Sequence, residues 1–236
     1  MTSILEICQE AADITATQRP EDLFERNVQH NAIFLSVAKN ELDSLMRYGN
    51  WQELLSEGSF STIEGKSFYP FEDIVPDFYA FLPGTIFIKD SGEKLIGAVT
   101  AEAKMNEICF HCAPIESTFK IENNGFKFLK MPKSSVKIVF MYRSNAVCTD
   151  AKTFEKKKTL SANTDVPIFD QYLVKLGIIW RWLKRNGMDY EEEYNEYQKE
   201  LKKKFALSLA IKDIHLSKGL NAFENEACLN VVINKN

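Results

Sequence analysis

At residue 59 the hydrophobic period of this chain changes, and that change constrains its fold more than any single motif does. Before it, apolar residues recur every three or four positions, the spacing that lines one face of a helix. After it, "SFSTIEGKSFYPF", "GTIFIKDSGEKLIGAVTAEA", "NEICFHCA", "TFKIENNGFKFLKMP" and "SVKIVFMYRSNAV" are short, alternating and rich in β-branched and aromatic residues, with Gly, Pro and Asn between them. Residues 59–148 therefore read as strands, and Asn-Gly inside "IENNGFKF" predicts a hairpin. A polar connection, "TDAKTFEKKKTLSANTD", follows, and then the helical period returns. Helices, strands and helices in that order predict an α+β fold. The N-terminal helices and a C-terminal helical hairpin pack as a helical bundle, with an antiparallel β region inserted between them. The chain shows no internal repeat and no low-complexity segment.

The helical parts carry their own punctuation. Residues 3–17 open with a capping box of Ser3 and Glu6, and Ile4, Leu5, Cys8, Ala11, Ala12 and Ile14 form one face. Residues 21–47 read as a long helix with Phe24, Val28, Leu35, Ala38, Leu42, Leu45 and Met46 inward. "YGNWQELL" is a turn with a short helical piece. Further on, Ile168, Phe169, Tyr172, Leu173, Leu176, Ile179, Trp180 and Leu183 recur at helical spacing, with Asp165 and Pro167 as the start signal. Lys184 and Arg185 suit the negative end of that helix, and Gly187 supplies a left-handed stop. Asp189 then caps a second helix, with Glu192 completing a capping box. Glu191, Glu192 and Glu193 sit at its positive end and Lys202, Lys203 and Lys204 near its negative end. Tyr190, Tyr194, Tyr197, Leu201 and Phe205 make a stripe, so the hairpin has an aromatic seam in which Trp180 and Trp182 pack. Residues 208–236 return to short mixed segments and read as an extended C-terminal arm; "ACLNVVI" is strand-like but has no neighbour in sequence. The organisation is 1–58 N-terminal helices, 59–150 β region, 151–207 helical hairpin and 208–236 arm.

Composition narrows the function. With 236 residues, 45% hydrophobic, the chain can bury a sizeable core, and a formal charge of −4 disfavours a general DNA-backbone binder. No apolar run is long enough to span a bilayer. The opening "MTSILEICQEAAD" lacks the basic segment of a signal peptide. Five scattered cysteines fit a reducing compartment. "CFHC", residues 109–112, has the ligand types of half a zinc site, but the chain holds no second pair to complete it. On a strand, Cys109 and His111 would share one face, and Ile108, Phe110 and Cys112 the other. No carboxylate pair has a spacing that forces it into one cleft, and there is no nucleophile elbow, GxGxxG or P-loop. The lysine runs at 156–158 and 202–204 read as solvated faces or helix ends. The residues thus predict no catalytic group, no metal and no cofactor.

The order of segments adds a resemblance. "LSANTDVPIFDQYLVKLGIIWRWLKRNGMDYEEEYNEYQKEL" resembles a pattern in the head-to-tail adaptor (connector) proteins of short-tailed phages and related gene-transfer particles. That pattern is an acidic turn, a helix ending in Gly-x-x-Trp-Arg, a Gly-x-Asp-Tyr corner and an acidic second helix. Here its residues are Asp165, Leu176, Gly177, Trp180, Arg181, Gly187, Asp189, Tyr190 and Glu193. "ILEICQEAADI", "AIFLSVAKNELDSLMRYGNWQELLSEGSFST", "VPDFYAF", and "TFKIENNGFKF" followed by "VKIVFMYRSNAV", are similar in the same order, so that the likeness covers about residues 3–205. Asn163 stands where the family often has a second acid, which leaves Asp165 a capping role; residues 83–115 and the tail from 208 match nothing in the pattern.

The resemblance implies a structural virion protein of the neck or tail, assembled in the host cytoplasm. It would form a twelve-subunit ring beneath the portal protein, extend the DNA channel without binding DNA specifically, and dock tail tube or nozzle and tail-fibre proteins. No membrane is involved. The arm, with Ile211, Leu216, Phe223, Leu229, Val231 and Val232, is then expected to contact the portal. Two other classes are weighed against this. A virion-carried cell-wall hydrolase needs a cleft with paired carboxylates. A nucleic-acid-binding regulator would stack bases on Trp180 and Trp182, against the chain's negative charge.

Overall fold

The fold was obtained as a computed structural model that describes residues 2–25, 27–95, 97, 118–128 and 136–219, with 209–219 as backbone alone. Helix α1 (Ile4–Ile14) starts at the expected capping box. Ser3 Oγ accepts the Glu6 N–H, and the Glu6 carboxylate accepts the Ser3 N–H at 2.7 Å. Ile4, Ile7, Cys8, Ala11 and Ala12 are buried, whereas Ile14 lies past the last inward turn and is exposed.

Helix α2 (Gln29–Tyr48) begins later than its periodicity predicts. Residues 22–24 are instead held in a turn: Leu23 N–H donates to Asn163 Oδ1 and Phe24 N–H to the Asp22 carboxylate. A tertiary contact 140 residues away thus overrides local helix preference. The inward face of α2 is Phe34, Val37, Ala38, Leu42, Leu45 and Met46, with Glu41 buried among them. A 3-10 turn, Gln52–Leu54, follows Trp51, whose indole N–H donates to the Leu45 carbonyl at 2.7 Å.

The β region is two small antiparallel sheets. In the first, the eight-residue β7 (Lys137–Ser144) is central, flanked by β1 (Leu55–Ser61) on one side. On the other side β3 (Phe78–Phe81) and β4 (Phe87–Ile88) lie end to end. The second runs β2 (Phe68–Pro70), β6 (Gly125–Phe128), β5 (Phe119–Glu122), with helix α3 (Phe71–Ile74) attached. Phe60 and Phe140 of the first sheet meet Tyr69 and Phe126 of the second, and Phe126 sits edge-on to Phe140 with centroids 4.9 Å apart. Each such ring contributes about 1.5–3 kcal/mol of burial. The predicted hairpin is present, but its two-residue turn is Asn123-Asn124, both left-handed at φ 47 and 56. Gly125 is instead a strand residue where a β-carbon would meet the Tyr69 carbonyl at 2.6 Å.

The segment predicted as a polar connection is structured. Strands β8 (Cys148–Thr149), β9 (Lys156–Lys157) and β10 (Val166–Pro167) form a third antiparallel sheet, in the order β10-β8-β9. Val147, Cys148 and Leu160 pack into the helical core rather than into the β region. Helix α4 (Gln171–Arg185) starts at Asp170, whose carboxylate accepts the Leu173 N–H; Asp165 and Pro167 do not start it, being committed to the turn and strand before it. The final helix, α5 (Glu191–Gly219), continues well past residue 207. The backbone at 208–219 is therefore helical and not an extended arm: "SLAIKDIHLSK" is rich in helix formers, and Gly219 ends the run. The fold is α+β, with one core of helices α1, α2, α4 and α5 and a second, aromatic core of strands.

Candidate functional site

The residues that carried the resemblance divide between two places. Asp165 lies in one, a turn at residues 161–165. Its carboxylate is fully buried and accepts the backbone N–H groups of Ser161 and Ala162 at 2.7 and 2.9 Å and the Lys157 ammonium at 2.7 Å. Burial alone would raise its pKa; Lys157 and the two N–H donors more than offset that and hold it below the usual carboxylate range. The same turn ties down the N-terminus, since Asp165 and Asn163 carbonyls accept the Ile4 and Leu5 N–H groups. Asp165 caps this loop and not a helix, which corrects the role expected for it.

Gly177, Trp180, Arg181, Gly187, Asp189 and Tyr190 lie along the other, the run from the middle of α4 through its corner with α5. Glu41 of α2 is its hidden partner. Its carboxylate is fully buried, and Arg181 Nε donates to Oε2 at 2.7 Å. Burial pushes the Glu41 pKa up; the Arg181 charge and then its hydrogen bond pull against it without cancelling it. Gly177 is required because a β-carbon there would lie 2.1 Å from the Glu41 carboxyl carbon. Arg181 also lies over the Trp180 ring, 4.4 Å from its centre.

Helix α4 ends as its sequence predicts. Gly187 is left-handed at φ 69; its N–H donates to the Lys184 carbonyl and that of Met188 to the Leu183 carbonyl, the paired bonds of a Schellman stop. Asp189 accepts the Glu191 N–H at 3.2 Å and so caps α5. Trp182 stacks on Phe34 inside the core, and Trp180 faces Tyr190, Tyr194 and Tyr197, with centroids 5.0–6.3 Å away. Both tryptophans are 7% exposed, so neither presents a face for stacking bases. Outside this seam lies a pocket of about 460 Å³ lined by Trp180, Lys184, Tyr190, Glu191, Tyr194 and Asn195. Glu193 is half-buried on the first turn of α5, outside the pocket lining, and Met188 is exposed at the corner.

A larger cleft of about 840 Å³ opens where β8–β10 meet the start of α4, with Trp51, Glu53, Lys156, Asp170 and Lys204 on its walls. Two carboxylates therefore share one cleft, which the sequence did not foretell. Each is structurally engaged: Asp170 caps α4 and pairs with Lys204 at 2.7 Å, and Glu53 accepts the Ser208 hydroxyl. The lysine runs are likewise used by the fold, Lys156 on Ser56, Lys157 on Asp150 and Asp165, and Lys203 on Glu200. Cys8 and Cys148 are buried thiols; burial, then the Asp165 charge, pushes Cys148 up to about 12 and keeps it protonated at neutral pH. Among the described residues no cluster of His, Cys, Asp or Glu is built to hold a metal ion, and no helix is long and apolar enough to cross a membrane. Cys109 and His111 lie outside the described residues. So do Phe223, Leu229, Val231 and Val232, whereas Ile211 and Leu216 fall on α5.

Sequence reading missed Glu41 and Phe154. Glu41 had a signal: it falls on the same stripe as Phe34, Ala38 and Leu45, where a lone acid implies a buried partner. No protein-family model matches the chain, and no curated protein matches it.

Proposed function

We propose that this chain is a structural adaptor of a virus particle: a subunit of a ring that docks beneath the portal, continues the DNA channel and offers a platform to tail proteins. The corner of α4 and α5 is the observation that supports the reading most. There the six residues from Gly177 to Tyr190 that carry the resemblance have interlocking roles. Gly177 admits Glu41, Arg181 neutralises it, Gly187 stops α4, Asp189 starts α5, and Trp180 and Tyr190 build the seam. Such a corner leaves Met188 and Tyr194 facing outward, residue types enriched at subunit interfaces. A net negative charge suits a channel wall along which DNA must slide, since an excess of fixed cations would hold phosphates.

The cleft with Glu53 and Asp170 is the feature a cell-wall hydrolase would use, but both carboxylates are bound to structural partners. The test is to mix the full chain with the portal protein encoded beside it and weigh the complex by native mass spectrometry. Twelve copies per portal ring are expected. A well-folded chain that forms no complex overturns the adaptor reading, and cleavage of peptidoglycan that disappears on Glu53→Gln or Asp170→Asn would install the hydrolase in its place.

A further inference from the structure

We propose that the β8–β9 hairpin tip at Phe154 docks into the Trp180–Tyr190–Tyr194 pocket of the next copy of this chain. Subunits then join head to tail through an aromatic anchor framed by opposite charges. The inference rests on the ring reading above and names the contact that would close the ring.

The tip is built to present its aromatic ring. Phe154 has φ 58, a left-handed backbone that costs a bulky residue about 1–2 kcal/mol. Asp150 holds it there. Its carbonyl accepts the Phe154 N–H, and its carboxylate accepts the Lys152 and Thr153 N–H groups and the Lys157 ammonium at 2.8–3.1 Å. A strained, braced tip ordinarily positions a side chain for use, yet Phe154 is 65% exposed, the most exposed of the large apolar side chains described. Beside it Lys152 is exposed and has no ion pair among the described residues.

The pocket is the complement. Its floor is aromatic, and Met188 adds exposed apolar surface at the corner. Glu191, the carboxylate in the lining, is exposed and has no ion pair among the described residues. Lys184, drawn over the Trp180 and Tyr190 rings, is the one cation in the lining, and Glu155 next to Phe154 supplies its counter-charge. The two features lie at different ends of one helix. The hairpin base, Thr149 and Lys156, shares a cleft with Asp170 at the start of α4. Trp180 lies ten residues along from Asp170, about 15 Å at the rise of an α-helix. A tip and a pocket on separate patches can pair reciprocally in a two-fold dimer or singly in a heterologous contact that closes into a ring or runs on as a filament; the ring reading selects the heterologous one. One ring in one pocket is an anchor, and the remaining interface forms around it.

Charge exchange tests this on full-length chains loaded onto the portal ring, with copies per portal counted by native mass spectrometry. The tip is reversed in Lys152→Glu, the pocket in Glu191→Lys. Each reversed chain alone places like charges together, and its loading affinity is expected to fall at least tenfold. An equimolar mixture restores opposite charges at every junction, and loading returns to the wild-type level. A misfolded variant cannot be rescued this way. Reversed chains that load like the wild type, or a mixture that fails to recover, overturn the contact while leaving the ring reading intact. A wild-type chain that does not load overturns both.

Discussion

Gly177 lies where α4 crosses Glu41, and the space for a side chain there is already taken by a carboxyl group. Gly177→Ala must push α2 and α4 apart or expel Glu41 from Arg181, so it is expected to cost at least about 1–3 kcal/mol, read from the urea midpoint; an unchanged midpoint would contradict the packing. Arg181→Met leaves Glu41 buried without its cation, a loss of about 3–5 kcal/mol while the carboxylate is charged. The sign of its pH dependence follows from Glu41, whose pKa is raised on folding. Its contribution to stability is full below the ordinary glutamate range and is lost as pH rises through the folded-state value. The Arg181→Met penalty should therefore shrink on going from about pH 8 to about pH 5, and a penalty of equal size at both would refute a charged Glu41 as its cause. Asp165 behaves oppositely, because folding lowers its pKa. The stability it supplies is present above the ordinary aspartate range and disappears as pH falls through the folded value. Asp165→Asn should cost about 1–3 kcal/mol near neutrality and converge with the wild type in acid unfolding curves.

Helix ends and strand pairings show where local chemistry decides and where it does not. Both predicted stops and starts at the corner hold, because Gly187 and Asp189 act within four or five residues of themselves. The start of α2 moved because Asn163, 140 residues away, holds Leu23 in a turn; that of α4 moved because Lys157 and the 161–165 turn engage Asp165, leaving Asp170 as the local cap. Helix α5 also runs further than the pattern of its side chains implied. Ser208 accepts the Gln52 N–H at 2.8 Å and donates to Glu53, so it is the last described side chain tied to the body. A chain ending at Ser208 retains every side-chain contact among the described residues and is expected to keep its thermal midpoint within a few degrees. Portal binding, if it resides in 209–236, should then be lost; full-affinity binding by that truncation would sink the arm's proposed role.

At the scale of the whole molecule, two cores divide the labour. One is a bundle that clasps the N-terminal helices with the C-terminal hairpin; the other is a knot of phenylalanines between two small sheets. Arg143 links them, donating from β7 to the Gly49 carbonyl and to Asn50 at the end of α2. The sequence by itself determined the α+β class, the helix–strand–helix order, the capping box at Ser3, and the corner at Gly187 and Asp189. All of these follow from period, propensity and caps, which act over a few residues. Only the tertiary structure decided that Glu41 is the partner of Gly177 and Arg181, that residues 148–167 form a sheet, that Asp165 pins a loop to α1, and that Phe154 stands out at a braced tip. Those depend on which distant groups share a buried volume, where an unpaired charge or an unoccupied space is costly. Sequence spacing carries no measure of that distance.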